Sequence, residues 1–100
     1  MAGNDAIIEV RQTAGGEPLK FAVTVRDATG ETQHVITMAP ATWQDLTAGA
    51  QTPTACVGAA FRFLLDHEAK DHILARFDMD VIGHYYPEFR ARFADYLKGA

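Results

Sequence analysis

The stretch FRFLLDHEAKDHILARFDMDVIGHYYPEFRARFADY, Phe61 to Tyr96, decides how this chain is read. It holds eight of the ten aromatic residues and most of the helix signals. Asp66 and Lys70 stand four apart, in the acid-before-base order that favours a helix pair. Ile73, Leu74 and Phe77 share one face if that helix continues. The run DMDVI reads as a fresh start. Asp78 is the expected N-cap, its carboxylate accepting from a free backbone N–H near Asp80 or Val81. Phe77 and Ile82 form the expected hydrophobic staple around it. Val81, Ile82, Tyr85, Tyr86 and Phe89 follow at spacings of three and four. Pro87 has no N–H to give, so it suits the first turn of a further helix. That helix has an apolar face of Phe89, Phe93, Tyr96 and Leu97.

Working back from Phe61, Thr52 and Pro53 repeat a start signal, a cap followed by proline. The helix from Pro53 to about Asp66 carries Val57, Ala60, Phe61, Leu64 and Leu65 at three-four spacing, flanked by Cys56 and Phe63. Pro40 opens a shorter helix with Trp43 and Leu46, ended by Gly49 in the left-handed conformation. Before Pro40 the period changes to two. Ile8 and Val10 alternate against Ile7, Glu9 and Arg11. Leu19, Phe21, Val23 and Val25 alternate against Lys20, Thr24 and Arg26. His34, Ile36 and Met38 share a face of a third strand, Thr32 to Met38. TAGGEP is a loop, and DATG is a tight hairpin with Gly30 at positive φ. Strands followed by helices predict an α+β fold: a three-stranded antiparallel β-meander followed by a cluster of four to five short helices on one face. The chain reads as a single domain over 1–100, with 1–5 frayed, 6–38 forming the sheet and 40–98 the helical part.

Composition narrows the function. One hundred residues, 48% of them hydrophobic, make one globular core and not a disordered chain. The lone Cys56 forbids an internal disulfide and any multi-cysteine metal site. There is no basic-then-apolar leader and no apolar run of about 18–20 residues, so the expected location is cytoplasmic, without membrane insertion. The net charge is −4. Residues 1–60 carry three bases and six acids, residues 61–100 six bases and seven acids. Neither half offers the basic footprint that nucleic-acid binding requires.

The candidate chemistry is sparse. His67, Glu68 and His72 resemble a zinc-protease H-E-x-x-H motif, but the histidines are five apart, about 140° around a helix. His67 with Asp71, or Glu68 with His72, gives two ligands where a catalytic zinc needs about three. Cys56 flanks an apolar helix face, where a free cysteine is an inert small hydrophobe. Asp78 and Asp80, two apart, do not face each other on a helix. The reading is therefore not an enzyme, with no cofactor and no metal.

Two binding readings remain. The aromatic group Tyr85, Tyr86, Phe89, Phe93 and Tyr96 suits a core face, but five aromatics within twelve residues exceed what one small core face hides, so Tyr85, Tyr86, Phe93 and Tyr96 are the expected interaction surface for a protein partner or self-association. Alternatively, residues 69–89 have the length of a helix-turn-helix, two short helices across a tight turn. Its nucleic-acid contacts would be His84, Tyr85, Arg90 and Arg92. Against this, Met79 to Tyr86 has no Lys or Arg to grip phosphates, and Gly83 weakens a helix there by about 1 kcal/mol.

The segment FRFLLD followed by IL-x-x-FD-x-x-VI-x-x-YYPEF resembles a family of small single-domain bacterial proteins of unknown function. The resemblance is carried by Phe61, Leu64, Leu65, Asp66, Ile73, Leu74, Phe77, Asp78, Val81, Ile82, Pro87 and Phe89, and it runs from the first strand to the final helix. It implies no activity, cofactor or catalytic residue. The expected function is a non-catalytic interaction or regulatory module.

Overall fold

Alternating apolar residues build the sheet. Phe21, Val23 and Val25 of β2 (Leu19–Asp27) and His34, Ile36 and Met38 of β3 (Gly30–Met38) are all buried on one face. Ile8 and Val10 of β1 (Ile7–Ala14) are half-buried on the same face, while Ile7, Glu9 and Arg11 face solvent. The computed structural model describes residues 6–98, so the expected fraying of 1–5 lies outside the described residues. The three strands pair antiparallel in chain order. Asp27 sits opposite Gly30 across the two-residue turn Ala28–Thr29. Gly30 has φ 137°, which only a residue without Cβ adopts freely.

The helix starts follow their expected chemistry. Pro40 opens α1 (Pro40–Thr47), and the left-handed cap falls on Ala48, with Gly49 also at positive φ. Thr52 caps α2 (Pro53–His67), its hydroxyl accepting from Ala55 N at 3.1 Å. α3 (Asp80–Tyr85) and α4 (Phe89–Lys98) complete the described helices.

The sheet corrects the expected meander. It has four strands in the order β1-β2-β3-β4, and β4 (Arg76–Asp78) runs parallel to β3. The helix expected through Lys70 and Phe77 does not form. α2 stops at His67, Lys70–His72 make a single 3₁₀ turn, and Phe77 lies on β4. Non-local bonds take the place of that helix. Val35 N donates to Ala75 O (2.8 Å) and Met79 N to Thr37 O (2.9 Å). The buried His34 ring donates from Nδ1 to Leu74 O (2.8 Å), since a carbonyl can only accept, leaving Nε2 for the Thr32 hydroxyl (2.9 Å). Two of the supposed helix-face residues consequently part: Ile73 is buried and Leu74 is exposed.

The Asp66–Lys70 helix pair is also replaced. Lys70 is only 4% exposed, and its Nζ lies 3.0 Å from Asp27 Oδ1 in the β2–β3 turn. It also donates to the Thr29 hydroxyl. A buried ammonium needs such partners, because leaving water uncompensated is costly. The same Asp27 oxygen accepts from Thr29 N (2.8 Å) and Thr29 Oγ1 (2.7 Å). These bonds, with Thr29 first and Lys70 next, hold the Asp27 carboxyl down at about 2.

Burial surrounds α2. Val57, Ala60, Phe61 and Leu64 join the sheet-side core as expected, but the flanking Cys56 and Phe63 are equally sealed. α2 packs on β1 on one side and α4 on another, so it has two apolar faces and not one. Gly58 faces β1: a Cβ there would stand 3.8 Å from Val10 Cγ2.

Two predictions follow from these contacts. Leu64, 4% exposed, packs in this core, so Leu64→Ala is expected to destabilise by about 2–5 kcal/mol. The check is a lower urea midpoint at unchanged slope; an unchanged midpoint would contradict the packing. Asp27 has a folded pKa (about 2) below its ordinary 3.8, so its contribution is full above the ordinary value and is lost as pH falls toward the folded one. The gap in melting temperature between wild type and Asp27→Asn should therefore be widest above pH 4 and narrow toward pH 2. A gap that is constant with pH would contradict this assignment.

Candidate functional site

The connection that carries the chain from α2 back to the sheet also shapes a groove. Leu64 and Glu68 come from the end of α2, His72, Ile73 and Leu74 from the connection, Phe77 from β4, and Val81, Ile82 and Tyr85 from α3, with Tyr86 at the end of that helix. Its volume is about 360 Å³ and its walls are mainly apolar.

Local bonds set these walls. Asp78 stands at the β4–α3 junction, where Oδ2 accepts from Thr37 Oγ1 (2.7 Å) and Oδ1 from Asp80 N (3.0 Å). The expected bond from Asp78 to the start of α3 is therefore present, although the residue at the cap position is Met79. Asp80 Oδ1 accepts from Thr42 Oγ1 (3.1 Å), tying α3 to α1. α3 ends where Tyr86 N donates to Ile82 O (2.8 Å), one residue before Pro87. Leu74 is 50% exposed even though its own carbonyl is bound by His34 and the next residue's by β3. Its exposure belongs to an anchored backbone and not to a loose end.

The polar part of the groove is small. Tyr86 donates its hydroxyl to Glu68 Oε2 at 3.1 Å. Burial, then the Glu68 carboxylate, pushes its phenol upward in pKa, so it stays a donor. Its ring meets Phe63 edge-on at 5.6 Å and His67 at 4.9 Å. Phe63 is the hub of this aromatic group, with Phe89 at 5.0 Å and Tyr96 at 5.5 Å.

The expected interaction residues divide. Tyr85, 68% exposed, is on the groove rim. Tyr86 is half-buried in the wall. Tyr96 is held away from the groove by its hydroxyl, which donates to Asp66 Oδ2 at 2.6 Å; that bond, then burial, raises its phenol pKa. Phe93 is a correction: at 1% exposure it is core, because α4 turns its apolar face onto α2 and α1. The helix-turn-helix geometry over 69–89 is corrected too, since its first helix is a 3₁₀ turn and a strand. His84, Arg90 and Arg92 are exposed, with Arg90 and Arg92 about 200° apart around α4.

The supposed metal-ligand cluster disperses. His67 Nδ1 donates to Phe63 O (2.8 Å), and Nε2 lies 3.6 Å from Glu88. Glu68 holds Tyr86, and Asp71 is exposed beyond the end of α2. Among the described residues no three His, Cys, Asp or Glu side chains are grouped to hold an ion. No described helix is long and apolar enough to cross a membrane.

The groove residues that sequence reading missed are chiefly Glu68, His72, Leu74 and Val81. Ile73 and Leu74 precede β4, and their opposite burial follows from the bonds that His34 and Val35 make to the connection, which no local pattern carries.

Comparison of this chain with family models, with curated proteins and with solved structures returned no match.

Cys56 is sealed against Met38, Sγ to Sδ 3.9 Å, and burial pushes its thiol up to about 12. At pH 8 the native thiol is expected to resist an aromatic disulfide reagent and to react fully after denaturation. Rapid stoichiometric labelling of the native protein would contradict this burial.

Proposed function

We propose that the protein is a non-catalytic interaction module that seats an apolar side chain of a partner protein in the groove between α2, β4 and α3. One observation carries this reading. Leu74 and Tyr85, two large hydrophobic side chains left in solvent, stand on the rim of the same apolar concavity. A fixed apolar patch around a groove is a typical protein-binding feature, and leucine and tyrosine supply contact area to it. The Glu68–Tyr86 pair gives the partner one polar point for orientation. A rim projecting into solvent suits a partner surface better than an engulfed molecule.

The groove's size favours a second reading, a small apolar ligand, because ligand sites run from about 300 to 1,000 Å³. The regulatory role read from sequence would be exercised through either occupant.

Leu74→Glu places a charge on the rim without touching the core. Quantitative affinity capture from the native cell should return a partner in near-stoichiometric amount with wild type. The variant should retain about tenfold less of it or below, the effect of losing a central contact, at unchanged melting temperature. Equal capture by both proteins would overturn the reading. A bound mass of a few hundred daltons, seen by native mass spectrometry in wild type and not in Leu74→Glu, would move the small ligand to the front.

A further inference from the structure

The free edge of the sheet points to a second, separate interface. β1 is a terminal strand of eight residues, paired only with β2. The opposite terminal strand, β4, has only three residues. Short edges protect themselves, whereas a long one presents a row of unpaired backbone groups. β1 contains no proline or lysine to block pairing, and its one irregularity lies beyond Gln12, between Gln12 and Ala14, past the segment from Ile8 to Gln12.

The direction of those groups follows from the hairpin. Asp27 and Gly30 flank a two-residue turn, so they form a hydrogen-bonded pair. Alternation then turns the odd residues of β2 toward β3 and the even ones toward β1. Arg26, Thr24 and Ala22 bond Ile7, Glu9 and Arg11. The N–H and C=O groups of Ile8, Val10 and Gln12 consequently point outward from the sheet. Among the described residues no backbone group pairs with them.

We propose that a second copy of this chain pairs antiparallel along this edge, with the two-fold axis through Val10. Val10 then faces its mate, Ile8 faces Gln12 of the other copy, and the outward groups join in hydrogen-bonded pairs. Between these pairs lie the close, non-hydrogen-bonded positions, where side chains approach most nearly. They place Glu9 opposite Arg11, twice, on the solvent face of the sheet, where both side chains are exposed. The charges select this register. Shifting the axis to residue 9 sets Glu9 against Glu9, and shifting it to residue 11 sets Arg11 against Arg11, both unfavourable. The result is one continuous eight-stranded sheet.

The test is a charge exchange read by sedimentation over a concentration series. Wild type should show a monomer–dimer equilibrium. Glu9→Arg alone and Arg11→Glu alone each set like charges opposite one another and should weaken the dimer about tenfold or more. An equimolar mixture of the two single variants restores opposite charges at both positions and should form a heterodimer. The double variant Glu9→Arg/Arg11→Glu should dimerise as wild type does. Leu74→Glu, on the groove, should leave the dimer intact, so failure here and failure of the groove reading are separable. A wild type that stays monomeric at high concentration would overturn the proposal. So would a dimer indifferent to the single exchanges, or a mixture that fails to associate while both variants keep the wild-type circular dichroism spectrum.

Discussion

Everything in this fold depends on α2 having no solvent face along its middle. From Cys56 to Leu65 every residue except Arg62 is buried. A helix apolar on all sides must be surrounded, and one sheet face covers only one side. α4 supplies a second cover, through Phe89 and Phe93, with α1 beside it. Gly58, with no side chain, makes the close approach to β1 possible. Phe63 fills the opposite side and gathers His67, Tyr86, Phe89 and Tyr96 around it. Hydroxyls at the edge of this group, Tyr86 on Glu68 and Tyr96 on Asp66, return to the last turns of α2 and fix α3 and α4 to it.

A second constraint is that the chain leaving α2 must return to the sheet. It does so beside β3, adding a parallel strand three residues long. His34 holds the arriving backbone at Leu74, Lys70 locks it to the β2–β3 turn, and Asp78 fastens its departure. The groove is the space left between this return path and α3. Because both walls are pinned, Leu74 and Tyr85 present apolar surface from a rigid frame. The open edge of β1, on the other side of the sheet, has no part in that frame. The two surfaces can therefore be tested independently.

Much was legible without coordinates. The alternation of Leu19, Phe21, Val23 and Val25, the turn at DATG and the Thr52-Pro53 start are local signals, and each fixes an element from residues within a few positions of one another. The bond from Asp78 to Asp80 N was readable for the same reason. What misled was the run from Lys70 to Phe77. Its three-four spacing satisfies a helix, and intrinsic preference has no knowledge of an unfilled sheet edge.

The sequence by itself determined the order of strands before helices, the solvent and core faces of β1 to β3, the capped start of α2 and the inert setting of Cys56. Tertiary structure alone decided that β4 exists, that Lys70 is buried, that Phe93 is core while Tyr85 is not, and that a groove opens beside α3. The physical reason is the distance between partners along the chain. His34 meets Leu74 across 40 positions, and Thr37 meets Asp78, and Thr29 Lys70, across 41. A local window contains only one member of each pair, so its pattern cannot encode the bond that settles the conformation.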